Sequence, residues 1–228
     1  MDDPRLAAHL RRQCLRLYRL LAHSDFLHDP PLTELLRLHH IDLSALCRDS
    51  VQAALQNGPA RGTKNITVTV PDQCDALVEP QLVRTALYNL LSNALRVTPM
   101  AGDITVTLHD DHTFFTISVA DRGPGLHAET FQALLTGWQR SVSLEDYLAL
   151  ARQGAPLGLG LPLVHRIAQL HGGSLLLSPR EGGGSTMHLI LARLPESLAD
   201  HNLRAPMILS LIHISRAPET EAKRVWRI

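Results

Sequence analysis

Two asparagines four residues apart, Asn89 and Asn93, are the first side chains of this sequence whose type and spacing could do chemistry. Residues four apart share one face of a helix. Asparagine is a poor helix former, so two of them are unusual on a face that serves only to contact solvent. An amide oxygen is a hard ligand of the kind that Mg²⁺ accepts beside water and substrate phosphates. Arg96, further along the same face, could neutralise phosphate charge. The alternative is an amphipathic helix that carries two incidental asparagines.

Three glycine-rich segments could approach a ligand closely. DRGPG (121–125) ends an apolar strand pattern, and the carboxylate of Asp121 could accept a hydrogen bond from an exocyclic amine such as that of adenine. GLG (158–160) precedes a helical pattern, where free backbone N–H groups bind phosphate. GGGST (182–186) separates two strand patterns. Taken singly, DRGPG is more typical of an ordinary turn, GLG is weak evidence for a phosphate site, and GGGST most simply predicts a flexible turn.

Hydrophobic periodicity predicts the elements that must position these residues. Apolar residues at helical spacing and capping residues predict helices, whereas alternation predicts strands. The predicted helices are 5–24, 42–56, 80–97, 128–135 and 161–171, with a short helical piece at 32–38, and the predicted strands are 65–70, 103–109, 113–120, 174–178 and 186–192. This order lacks the strict alternation of a doubly wound fold and favours helices packed on one mixed sheet.

Composition excludes several classes of function. Lys plus Arg and Asp plus Glu both number 22, so the chain has no basic footprint for nucleic acid. No run approaches the roughly 18 apolar residues of a membrane helix. The three cysteines form no CxxC pair, which disfavours zinc knuckles and disulfide frameworks and fits a reducing compartment.

Taken together and in order, four motifs resemble the ATP-binding catalytic domain of sensor histidine kinases. They are NLLSNALR (89–96), DRGPG, GLGLPLVHRIAQLHGG (158–173) and GGGST, and the resemblance covers about residues 65–195. It implies the Bergerat fold: an α+β protein, a two-layer α/β sandwich with helices on one face of a mixed sheet. It also implies binding of ATP and Mg²⁺ and transfer of the γ-phosphoryl group to a histidine. The sequence GxxxxGK[ST] does not occur, which excludes the P-loop route to ATP binding.

The resemblance implies roles for individual residues. Asn93 matches the magnesium ligand of the family's N box, and Asp121 matches the aspartate that recognises the adenine amino group. The stretch 137–157 corresponds to the mobile ATP lid. Phe131, with Trp138 and Arg140, loosely matches the family's Phe-containing box. The implied nucleotide-binding residues are Asn89, Asn93, Arg96, Asp121, Gly123, Gly125, Gly158, Leu159, Gly160 and Ser185.

Departures from the family pattern leave alternatives open. Pro156 stands where the second glycine box begins with glycine. Asn89 stands where hydrolysing relatives carry a glutamate that activates water, and a neutral amide is a poor general base. The site is therefore better suited to transfer to a delivered nucleophile than to hydrolysis. The alternatives are a non-catalytic ATP-sensing pseudokinase or protein-interaction module and, more weakly, a serine-directed anti-sigma kinase on the same fold.

The phosphoacceptor histidine has no match in this sequence. None of the 13 histidines lies in the family's box, His-[Asp/Glu]-Leu-Arg-[Thr/Asn]-Pro-Leu. Residues 9–24 resemble the second helix of the dimerisation hairpin, so 1–40 are expected to be part of that hairpin and 41–195 the ATP-binding domain. The parent protein is then expected to be a cytoplasmic homodimer that passes phosphate to a response-regulator receiver domain, with any inner-membrane anchor upstream.

Residues 196–228 are predicted to be an unstructured tail. Within it, LSLIHIS (209–215) resembles the translation of a sequencing-library adapter, so 209–228 are not expected to belong to the natural protein. The alternative is a genuine apolar strand followed by a basic tail.

Overall fold

The computed structural model describes residues 36–57, 65–137 and 160–195, and helices and strands alternate irregularly along them. The elements, in chain order, are β1 (His39–Asp42), α1 (Leu43–Asn57), β2 (Asn65–Thr69), β3 (Asp75–Val78), α2 (Pro80–Val97), β4 (Asp103–Asp110), β5 (Phe114–Ala120), α3 (Ala128–Gly137), α4 (Gly160–Leu170), β6 (Ser174–Pro179) and β7 (Ser185–Ala192).

Five strands form a mixed sheet in the order β2-β4-β5-β7-β6. β2 runs parallel to β4, and the remaining neighbours are antiparallel. Because side chains alternate between the two faces of a strand, one face is apolar and buried, as at Ile104, Ile117 and Leu189. The opposite face carries hydroxyl side chains such as Thr105 and Ser118. The alternation in the sequence therefore fixes which face the helices cover.

α2 is the central helix of the layer that covers this sheet, and it packs against both α1 and α4. It begins at Pro80, where the missing N–H costs little, and the Glu79 side chain accepts a hydrogen bond from the backbone N–H of Leu82 at 2.5 Å. It ends at Thr98, whose N–H donates to the Ala94 carbonyl at 3.0 Å before Pro99 prevents continuation. The predicted bounds of this helix are confirmed at both ends.

A two-stranded antiparallel sheet formed by β1 and β3 was not predicted. β1 is only four residues long and mostly polar, and β3 has no alternation because Ala76, Leu77 and Val78 are all buried. The predicted helical piece at 32–38 is wrong for residues 36–38, which are not helical. Leu36 instead packs into a small cluster with Leu77, Leu170 and Leu194, which favours an extended path into β1.

The other predicted elements that fall on described residues are confirmed, with boundary differences of up to two residues. The turn between β4 and β5 includes His112 at φ 69, a conformation that His, Asn and Asp adopt more often than other non-glycine residues. The predicted helix at 5–24, most of the lid at 137–157 and the tail at 196–228 lie outside the described residues.

Among the described helices, none combines the length and the apolar character that crossing a bilayer requires.

Candidate nucleotide-binding site

One face of α2 carries the two asparagines. Asn89, Asn93 and Val97 follow one another at intervals of four, so they lie along the same side of the helix. Asn89 is buried, and its Nδ2 donates to the Thr85 carbonyl at 2.8 Å, which fixes the direction of its amide. Asn93 is half-buried, and Arg96 Nη2 donates to its Oδ1 at a long 3.4 Å.

The first turn of α4 approaches this face through Gly160. A Cβ atom at Gly160 would lie 3.1 Å from Asn89 Oδ1 and 3.6 Å from Asn93 Nδ2, so a side chain there would crowd the first amide and touch the second. The N–H groups at the start of a helix have no partner within the helix, and the helix dipole attracts anions to them. The structure thus brings a helix start, which is a kind of site that can bind phosphate, beside two amide side chains. Gly158 and Leu159 lie outside the described residues.

The DRGPG loop holds Asp121 at the end of β5. Asp121 is buried, and its Oδ1 accepts a hydrogen bond from the Gly123 N–H at 2.7 Å. A carboxylate can accept several hydrogen bonds, so Oδ2 keeps capacity for a donor such as an amino group. The loop is closed by Ser185, whose Oγ accepts from the Leu126 N–H at 2.8 Å and whose carbonyl accepts from the Asp121 N–H at 2.8 Å. Gly125 turns the chain at φ +82.

Gly123 joins the two halves of the site. A Cβ atom at Gly123 would lie 2.7 Å from Val97 Cγ2, so the loop rests directly on the last turn of α2. Val97 is eight residues beyond Asn89, a rise of about 12 Å along the helix. Asp121, Asn93 and Asn89 therefore lie along a single helix face, with the aspartate at one end and the amides with the start of α4 at the other.

Gly184 contributes to the site in a way that sequence reasoning missed. Its φ is +104, and a Cβ atom there would lie 2.0 Å from the carbonyl oxygen of Asp121. By itself, the GGGST segment predicts only a flexible turn. Its third glycine instead permits β7 to begin against the DRGPG loop, and this contact depends on strand register that the sequence alone does not display.

Arg122 and Asp103 form a second feature that was not predicted. The Arg122 Nε donates to Asp103 Oδ1 at 3.1 Å, and its Nη1 donates to the Glu181 carbonyl at 2.5 Å. Its backbone N–H donates to Thr98 Oγ1 at 3.3 Å. Arg122 thus connects the DRGPG loop to the end of α2, the start of β4 and the β6–β7 turn. The only signal in the sequence was its position inside the motif.

Arg180 completes this network from the far edge of the sheet. It donates to the Asp103 carboxylate, to the Asp103 carbonyl at 3.0 Å and to Thr105 Oγ1 at 3.2 Å. Hydrogen bonds from Arg180 and Arg122 lower the pKa of Asp103, so this carboxylate stays ionised at neutral pH. The loop that carries Asp121 is therefore fixed by the ion pairs of Arg122 and Arg180 with Asp103 and by the close backbone approach of Gly184.

The donor chemistry on this face fits Mg²⁺ with few protein ligands. Within residues 36–57, 65–137 and 160–195, no three His, Cys, Asp or Glu side chains converge as a metal site. Mg²⁺ commonly takes one or two protein oxygens and completes its shell with water and substrate phosphates. Asn93 lies beside the start of α4 and carries one hard oxygen, Oδ1, which accepts only the long hydrogen bond from Arg96 among the bonds described above. Phe131 is buried in the main core, whereas Trp138 and Arg140 lie outside the described residues.

The fold is shared with solved histidine kinase domains. A mycobacterial sensor histidine kinase, MprB, superposes with a TM-score of 0.55 at 21% sequence identity, covering 69% of this chain and 99% of that chain. At this identity the likeness defines the class of fold: a two-layer α/β sandwich of the histidine kinase ATPase type.

Residues 78–196 match the family described as "Histidine kinase-, DNA gyrase B-, and HSP90-like ATPase", and the chain belongs to this family. It is 33% identical over 156 residues to the histidine protein kinase DivJ of Caulobacter vibrioides, covering 67% of this chain and 25% of that protein. It is 31% identical over 157 residues to the sensor histidine kinase ZraS of Escherichia coli, covering 68% of this chain and 31% of that protein. The chain thus spans a quarter to a third of the length of these relatives.

Proposed function

We propose that residues 41–195 are the ATP-binding catalytic domain of a two-component sensor histidine kinase, which passes the γ-phosphoryl group of Mg·ATP to a histidine on a separate dimerisation helix. The observation that carries this proposal is the convergence of Asp121, Asn93 and Gly160 along one face of α2, joined by the Val97–Gly123 contact. The names of the relatives support the same reaction. The corresponding partners are a receiver domain and a second kinase protomer, in the cytoplasm.

Each residue has a distinct task in this proposal. Asp121 Oδ2 accepts a hydrogen bond from the adenine amino group, and Gly125 and Ser185 shape the surrounding loop. The start of α4 and the Arg96 guanidinium bind phosphate oxygens. Asn93 would hold Mg²⁺, and the ion would neutralise part of the phosphate charge. The long Arg96–Asn93 bond of 3.4 Å can be given up at little cost when these ligands bind.

Asn89 explains why transfer is favoured over hydrolysis. Its Nδ2 is committed to the Thr85 carbonyl, and its Oδ1 faces Gly160. A neutral amide cannot remove a proton from water. The protein then contributes positioning and charge stabilisation. These are sufficient for transfer to a neutral imidazole, which attacks through a nitrogen lone pair and needs no base to activate it.

Replacing Asp121 tests the adenine assignment. Asp121→Asn keeps the shape of the side chain but replaces one of its two acceptor oxygens with an NH₂ donor and removes the charge. Hydrogen bonds to charged groups contribute about 1.5–3 kcal/mol. We expect the dissociation constant for Mg·ATP, measured by titration calorimetry, to rise roughly 10- to 100-fold. The matched control is Asp49→Asn, which removes the same charge from the exposed side of α1. Equal affinity in wild type and Asp121→Asn would contradict the assignment.

Transfer itself can be measured in a fusion. A hairpin that carries the family's phosphoacceptor box, joined upstream of Leu36, should acquire label from γ-labelled ATP. Asn93→Ala in the same fusion should abolish the labelling because it removes the magnesium ligand. A Gln81→Ala fusion, changed at an exposed position about three turns earlier in α2, should label normally. A fusion that binds ATP tightly yet never becomes labelled would favour the pseudokinase alternative.

A further inference from the structure

His171 is a buried titratable residue that the proposed chemistry does not use. It follows α4 directly and is 1% exposed. Its Nδ1 lies 2.8 Å from the Ile167 carbonyl, and its Nε2 accepts a hydrogen bond from the Glu79 N–H at 3.1 Å. Because the Glu79 N–H can only donate, Nε2 is the acceptor and Nδ1 carries the proton. Both ring nitrogens are therefore used within the fold.

The two partners of this ring belong to different helices. Ile167 is in the last turn of α4, and Glu79 is the residue that caps the start of α2. The backbone of His171 adds a third link, since its carbonyl accepts from the Ala192 N–H at 3.0 Å at the end of β7. One residue thus ties the end of α4 to the sheet and to the start of α2.

α2 and α4 run antiparallel, and the phosphate and magnesium end of the site lies where the start of α4 meets the middle of α2. The start of α2 meets the end of α4 at Glu79 and His171, whereas Asn89 meets the start of α4 at Gly160. The two spans match: Glu79 to Asn89 is a rise of about 15 Å and Gly160 to His171 is a rise of about 16 Å. Sliding of one helix along the other would therefore displace Gly160 from the amides by the same amount.

From this geometry we infer that His171 is a positioning residue that sets the axial register of α4 on α2, and thereby the phosphate and magnesium end of the site about 15 Å away. The inference rests on the proposed function. The adenine end does not depend on this link, because Asp121 and Ser185 are held by hydrogen bonds between the β5 and β7 ends. A change of register should therefore weaken triphosphate binding and spare adenosine binding.

Two isosteric substitutions separate the hydrogen bonds of the ring. In His171→Gln the amide oxygen can replace Nε2 as the acceptor for Glu79, whereas in His171→Asn the shorter amide can replace only Nδ1 and its bond to Ile167. We expect Asn to raise the dissociation constant for Mg·ATP about tenfold, since misplacement of about 1 Å can cost more than this, and Gln to stay within about threefold of wild type. Adenosine affinity, followed by NMR titration, should stay within about twofold in both variants.

His188→Gln is the matched control. Like His171, His188 has both ring nitrogens hydrogen-bonded, to Ser118 and Ser178 at 2.8 Å each. It is half-buried, however, and lies on the sheet face opposite the helices. Its nucleotide affinities should equal those of wild type. Should the His171 variants prove unfolded by circular dichroism, the same bond can be removed from its other end: Glu79→Pro removes the N–H donor, whereas Glu79→Ala removes only the capping side chain.

The outcomes are distinct. Loss of ATP affinity in His171→Asn or Glu79→Pro, with adenosine affinity kept and Gln or Ala close to wild type, supports the register role. Equal losses for ATP and adenosine, or wild-type ATP affinity in His171→Asn, overturn it. Failure of the wild-type protein to bind Mg·ATP overturns the proposed function and, with it, this inference.

Discussion

Gly184 and Gly183 have nearly the same backbone angle in different surroundings. Their φ values are +104 and +101, but a Cβ atom at Gly184 would lie 2.0 Å from the Asp121 carbonyl oxygen, whereas one at Gly183 would meet nothing within 4 Å. Both alanine substitutions carry the strain of positive φ, about 1–3 kcal/mol. The difference between them isolates the contact with the loop that holds Asp121.

We predict that Gly184→Ala destabilises the protein by at least ~2 kcal/mol more than Gly183→Ala, because the contact is with backbone and cannot be relieved by a rotamer change. Gly184→Ala should also weaken ATP binding, since the Asp121 loop must move. Urea unfolding measures the first effect and calorimetry the second. If both variants behaved alike, the close approach of β7 to the loop would be wrong.

For single residues, the sequence predicts which side chains could bind a ligand better than it predicts which residues they contact. Asn93 and Asp121 were chosen for their chemistry and their spacing, and the structure brings them to one helix face. The contacts of Gly184 and Arg122 could not be predicted, because they depend on which strand of the sheet lies beside β5. Side-chain chemistry is local in sequence, whereas strand neighbours are set by the packing of the whole sheet.

Among the elements, α2 was predictable because each of its determinants is local. Pro80 and Glu79 define its start, and Pro99 follows its end. The β1–β3 pair was not predictable, because each strand is four residues long and neither alternates cleanly. A pairing of this kind is selected by long-range contacts such as the Leu43 N–H to Cys74 carbonyl bond of 2.8 Å, which no short window contains.

The start of α1 gives a prediction about acid stability. Asp42 Oδ1 accepts hydrogen bonds from the N–H groups of Ser44 at 2.8 Å and Cys74 at 3.0 Å. Burial opposes its ionisation, but these bonds and the Arg48 charge together outweigh burial and lower the pKa of Asp42 below 3.8. The stabilisation is therefore complete above about pH 4 and is lost as the pH falls through the lowered value.

Asp42→Asn should remove part of this acid dependence. Asparagine keeps an oxygen that can accept both hydrogen bonds, so its unfolding free energy should change less than that of wild type between pH 5 and 3. Asp42→Ala, which has no acceptor, should cost about 1 kcal/mol or more at pH 7 because the helix cap is lost. Unfolding at several pH values distinguishes these cases, and an unchanged acid profile in Asp42→Asn would contradict the ionic role of the cap.

For the molecule as a whole, the composition limits what the core can be. Aromatic residues make up 4% of the chain, and the main core is accordingly built from Leu, Ile, Val and Ala with few rings such as Phe115. Aliphatic burial supplies most of the stability without supplying chemistry. Several of the buried polar residues lie either in the proposed site or in the contact that joins the end of α4 to the start of α2, namely Asn89, Asp121, Ser185 and His171.

The buried histidines predict a second pH dependence, separate from that of the aspartates. Burial lowers the pKa of His171, His188 and His165 below 6.5, so the folded state keeps them neutral while the unfolded chain gains protons first. Stability should therefore be constant above about pH 6.5 and decline below it, by up to about 1.4 kcal/mol per pH unit for each histidine. Urea unfolding between pH 8 and 5 measures this slope. His188→Gln should reduce the slope while leaving the ATP site intact, because its partners Ser118 and Ser178 lie on the face of the sheet opposite the helices. A slope that no single histidine substitution reduces would mean that burial does not keep these rings neutral.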